Sequence, residues 1–194
     1  MTKNNFICKV VQDLLDDQFS IILHQQKDPE SLGGSFDGTS KEFIVSIKSK
    51  LGFEVLVHEY CHYQQWKQSK RYYNRLIDAG HLVFDWIDGT FFKKDVLNYA
   101  FENIIELEWD CEKRAVETIK KYNLDVDIEK YIKTANTYLL FYHIVRENRK
   151  WCSNGIYSPS LVKSMPNEIL DLDFYLDPNN IKEHQRKKYI KNLE

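Results

Sequence analysis

Apolar residues along this chain follow two spacings, and the switches between them mark the elements. Phe6, Val10, Leu14, Phe19, Ile22 and Leu23 recur at mainly helical intervals, predicting an opening helix over residues 5–26 that allows a break at Asp16-Asp17. Residues 31–40 are rich in Gly, Ser and Asp, and Asp37-Gly38 is a hairpin signal. Phe43 to Lys48 is β-branched and partly alternating, which predicts a strand. No Pro or Gly interrupts residues 53–67, so a helix follows. Gly80 and Gly89 frame a short segment carrying Leu82, Val83, Phe84 and Trp86. Two long helices come next, over residues 94–122, ended by Asn123-Leu124-Asp125, and over residues 128–149. Asn154-Gly155, Ser158-Pro159 and Met165-Pro166 break any period, so residues 151–166 read as irregular. The basic run 182–191 reads as a solvated tail helix. The expected class is α+β, mostly helical, with a small N-terminal β-hairpin or sheet.

Composition narrows the picture. A chain of 194 residues fits one domain, 1–194, and can bury a full core. With only 7 Gly and 4 Pro, long helices are favoured over a loop-rich or all-β fold. A net charge of −2 leaves no electrostatic footprint for nucleic acid. No secretory h-region and no membrane-length apolar run are present, so no membrane partner and a cytoplasmic location are expected. Cys8, Cys61, Cys111 and Cys152 form no C-x-x-C pair, which fits reduced thiols.

The chemistry concentrates in His58-Glu59-Tyr60-Cys61-His62. Residues four apart lie on one helical face, so His58 and His62 can grip a single metal ion. Zinc suits two imidazoles and a carboxylate with a fourth position open to water. Glu59 sits beside His58, placed to take a proton from that water. Cys61 falls on a different face and reads as core. A third ligand is needed, and the helix 94–122 offers acids. Its apolar stripe, Phe101, Ile104, Ile105, Ala115, Ile119 and Tyr122, must pass through 108 and 111–112. Glu108, Cys111 and Glu112 therefore stand where core is expected. A buried carboxylate is costly unless paired or metal-bound. Glu108 is the preferred ligand, Glu106 the reserve, and Glu112 is expected to orient a ligand histidine through a hydrogen bond. Ordinary Lys or Arg pairing of the two glutamates is the alternative.

His58-Glu59-x-x-His62 followed by a glutamate on a later helix resembles the gluzincin branch of the zincins, the group that includes thermolysin. Members often carry a carboxylate four residues after the ligand glutamate. The chain offers that spacing as Glu106 with Asp110 and as Glu108 with Glu112. The stretch 108–114 is also similar to small phage and bacterial proteins with a like histidine motif. Gln65 and Gln68 stand where the metzincin branch has Gly and His, and Gln64 replaces a usual apolar residue. The resemblance covers residues 43–115. It implies a zincin-like domain holding one zinc ion and hydrolysing a peptide or protein substrate, with Glu59 as general base. It also implies an edge strand beside the cleft, for which Phe43 to Ile47 is the candidate, an internal hairpin strand being the other reading. Tyr138, Tyr142 and His143 are candidate oxyanion donors. His81 and His143 are the rival third ligands, while His24 and His184 are expected to face solvent. Two other functions fit the residues: a structural metal site or degenerate zincin scaffold used as a binding module, and hydrolysis of a non-peptide amide. Oligomeric state is not legible.

Overall fold

The computed structural model describes residues 1–24, 33–151 and 156–191. Among these, the elements in chain order are α1 (Lys3–Asp16), β1 (Ser20–His24), β2 (Gly34–Asp37), β3 (Glu42–Ser46), α2 (Gly52–Gln68), α3 (Lys70–Ile87), α4 (Lys94–Tyr122), α5 (Ile128–Asn148), α6 (Pro159–Val162), α7 (Leu172–Leu176), a 3-10 turn (Pro178–Asn180) and α8 (Glu183–Lys191). The fold is a mostly helical α+β arrangement with one small sheet. Among the described residues, no helix is long and apolar enough to cross a membrane.

The described residues form two compact units, Met1–Tyr72 with Lys113–Ile128, and Tyr73–Glu112 with Glu129–Glu194. In the first, Thr2 caps α1, its Oγ1 accepting from the Asn5 amide at 3.2 Å. Phe6, Val10 and Leu14, spaced one turn apart, form the buried face of α1. The opening helix is shorter than its sequence predicts. Gln18 adopts φ 63°, the Phe19 amide reaches Leu14 O and the Gln18 amide reaches Leu15 O, which closes the helix in a Schellman turn. Ser20–His24 then pairs in parallel with Glu42–Ser46, so β-branched Ile21 and Ile22 follow strand pairing rather than helical spacing. Residues 25 and 26, also assigned to that helix, lie outside the described residues.

The hairpin is where the sequence places it. β2 runs antiparallel to β3, and Asp37 Oδ1 accepts from the Thr39 amide at 2.7 Å to hold the turn. The order β1-β3-β2 makes β3 the central strand. Phe43–Ile47 is therefore not an edge: the unforeseen strand β1 covers the far side of β3, and among the described residues β2 is an edge instead.

α1 lies against β1, and α2 covers β2 and β3. Two polar triads tie α1 to α2. Asp13 Oδ2 accepts from Lys9 Nζ and Tyr60 Oη, each at 2.5 Å. Asp17 Oδ2 accepts from Tyr63 Oη at 2.5 Å and Lys67 Nζ at 2.8 Å. The hydrogen bonds from Lys67 and then Tyr63 hold the Asp17 carboxyl below the usual carboxylate range. A depressed folded-state value stabilises above the unfolded value and is lost as pH falls through the folded one. Asp17→Asn is expected to melt earlier than the native chain at neutral pH, and the gap should close as pH falls below about 4. A gap undiminished at strongly acidic pH would contradict this linkage.

In the second unit, α3 runs straight through Gly80, where the sequence reads a boundary. A Cβ there would meet Ile104 Cδ1 at 2.8 Å, so the missing side chain is filled by a neighbouring helix. The predicted ends of α4 and α5 agree with the structure: Asn123 takes φ 46° and closes α4, and α5 spans Ile128–Asn148. The stretch 151–166 has only the short helix α6 among its described residues. α8 keeps its basic residues near solvent but is docked rather than fully solvated: Tyr189 is buried and donates to Thr137 O at 2.7 Å.

Candidate metal centre

α2 reaches the site from apolar ground, with Leu56 and Val57 fully buried immediately before the first histidine. Helical periodicity then turns His58 and His62 to one side. Their Nε2 atoms lie 3.2 Å apart, with ring centroids 4.7 Å apart and planes at 89°. Two nitrogens bound at about 2.0–2.1 Å to one tetrahedral ion stand about 3.3 Å apart. The pair thus has the spacing of two imidazoles converging on a common ion.

A hydrogen bond sets the tautomer of His62. Its Nδ1 is 2.8 Å from Gln65 Oε1, one turn along α2. An amide oxygen only accepts, so Nδ1 donates and Nε2 keeps its lone pair. Gln65 is buried, and its role was missed by the sequence reading, although its i+3 spacing from His62 was visible. Gln65→Ala is expected to weaken metal binding by about 10–100-fold. Competition with a chromophoric chelator measures this, and native affinity would remove Gln65 from the site.

Glu59 is buried at 8 % exposure, and its position depends on the sheet. A Cβ built on Gly34 of β2 would lie 2.9 Å from Glu59 Cγ, 2.7 Å from Val55 Cγ1 and 2.9 Å from Ile44 O. The Glu59 stem therefore rests directly on the β2 backbone.

On α4 the predicted stripe is buried through Phe101, Ile104, Ile105, Glu108, Cys111, Glu112, Ala115 and Ile119. Glu112 Oε2 accepts from Tyr131 Oη at 2.7 Å. Tyr138 and Tyr142 share a hydrogen bond at 2.9 Å. Burial, then the Glu108 charge, pushes both hydroxyls well above their usual range, so each keeps its proton. Glu106 is half-buried.

His58 and His62 each offer a ring nitrogen to a group that could hold a metal ion. Among the described residues, neither His81 nor His143 joins such a group. His143 Nε2 donates to Tyr175 O at 2.6 Å, and His24, His81 and His184 are exposed. Cys61 is core as expected, fully buried with Sγ 3.9 Å from Thr118 Oγ1. Compared with protein-family models, with curated proteins and with solved structures, the chain matches none.

Proposed function

We propose that this chain is a zincin-like metallopeptidase that cleaves peptide bonds, with His58 and His62 as ligands of one zinc ion and Glu59 as general base. The observation that carries this reading is the 3.2 Å separation of the two Nε2 atoms, with Gln65 fixing the His62 tautomer behind them. By the stripe argument Glu108 is a third-ligand candidate, Glu106 its reserve, and Glu112 an outer partner.

A divalent ion with an open position brings the pKa of bound water to about 7 and polarises a carbonyl. Glu59, next in sequence to His58, takes the water's proton and delivers it to the leaving amine. Its side-chain stem is packed against Gly34. The sheet supports an extended substrate. Ser46 N donates to Gly33 O at 2.9 Å, so ladder alternation turns the main-chain groups of Gly34 and Phe36 outward along the β2 edge. A peptide strand can add there.

Metal analysis coupled to melting tests the proposal. Purified protein is expected to carry one zinc ion per chain. Chelation should abolish hydrolysis of a mixed peptide library, leave the helical melt nearly in place, and be reversed by zinc. Unfolding on chelation would instead mark a structural site in a binding module. Absence of metal binding would end the proposal.

A further inference from the structure

The C-terminal stretch of the second unit is cut by Pro159, Pro166 and Pro178, so it lies along α5 as brief pieces rather than one long helix. Buried polar groups of α5 fasten those pieces. Asn136 Nδ2 donates to Pro166 O at 2.9 Å and to Glu168 O at 3.0 Å, and His143 Nε2 donates to Tyr175 O at 2.6 Å. Irregular backbone held this way does not close fully on the helix. A cavity of about 240 Å³ remains, with Leu140, Met165 and Phe174 among its apolar lining and Ser164, Lys182 and Gln185 among its polar lining. We infer that this cavity is a binding site for a small aromatic carboxylate, independent of His58 and His62.

Size, bracing and charge define the guest. An apolar cavity of ~150 Å³ takes a benzene ring, so this one has room for a ring with a short acidic arm. Gln185 is buried and uses both ends of its amide on the protein, Oε1 accepting from the Lys182 amide and Nε2 donating to Ser164 O, each at 3.0 Å. The Ser164 hydroxyl donates to Leu161 O at 2.7 Å. Walls fixed in this way spare a guest the cost of ordering them. Phe174 and the Met165 sulfur offer an aromatic ring favourable contacts. Lys182 is the one charged residue of the described lining; it is exposed and, among the described residues, makes no ion pair. Neighbouring charges are engaged with each other, Lys187 with Glu183 at 3.4 Å and Arg186 with Glu147. One available cation at the edge of a largely apolar chamber selects a single negative charge on an apolar body.

Methionine occurs only as Met1 and Met165, which gives the cavity its own reporter. Phenylacetate is titrated into the full chain carrying ¹³C-methyl methionine. The expected result is a saturable shift of the Met165 methyl signal with Met1 unmoved, the assignment being fixed by Met165→Leu. Phenylacetamide, of similar shape but uncharged, should bind about tenfold more weakly or worse. Lys182→Ala should weaken phenylacetate by a like factor and leave phenylacetamide unchanged. Lys182 is exposed, so this variant keeps its fold. Equal affinity for acid and amide, or an acid indifferent to Lys182→Ala, would overturn the carboxylate assignment. A Met165 signal that stays still, or one that drifts without saturating, would overturn the site itself.

Discussion

Replacing Glu59 by Gln is expected to lower peptide hydrolysis by about 10²–10⁴-fold, the usual share of a positioned general base. Zinc content should stay at the native level, because His58 and His62 are untouched. The substitution separates chemistry from packing. Gln fills the same volume over Gly34 and keeps the stem buried against the sheet. It removes only the ability to take a proton. A Gln variant that cleaves at the native rate would dismiss Glu59 as base, and one that loses zinc would show that Glu59 acts on the ligands instead.

The second large effect is expected at Gly34, far from Glu59 in sequence. An Ala Cβ would come within 2.9 Å of Ile44 O, a backbone atom that cannot swing aside, as well as against Val55 and the Glu59 stem. Overpacking of this kind costs about 1–3 kcal/mol. Gly34→Ala should lower the denaturation midpoint and also reduce turnover at conditions where the chain is still folded, since the strand that seats Glu59 must shift. A Gly34→Ala chain with native stability would show that β2 yields freely. A loss of stability with unchanged turnover would detach the strand from the position of the base.

The long helices were legible in the sequence because local signals agreed there. The α4 stripe, the turn at Asn123 and the length of α5 all point the same way, and the structure follows them. β1 was illegible for the opposite reason. Its Ile22 and Leu23 continue a helical interval from α1, and only pairing with Glu42–Ser46 converts them to a strand. Gly80 misled because a glycine looks like a break until Ile104 is seen filling its place. At the site, the two histidines and Glu59 declare themselves by spacing along one helix. Gln65 was readable by the same spacing and was passed over.

The order of synthesis gains meaning from how the first unit is composed. Its core draws on residues before 72 and again on 113–128, with Phe6 packed on Tyr122 at 5.5 Å and the N-terminal amine donating to Tyr122 O. A ribosome delivers α1, the sheet and α2 some forty residues before their last partners emerge. The histidine-bearing helix must therefore wait, half covered, until the rest of α4 has been made, and a cut anywhere between residues 73 and 112 leaves this core divided between two fragments.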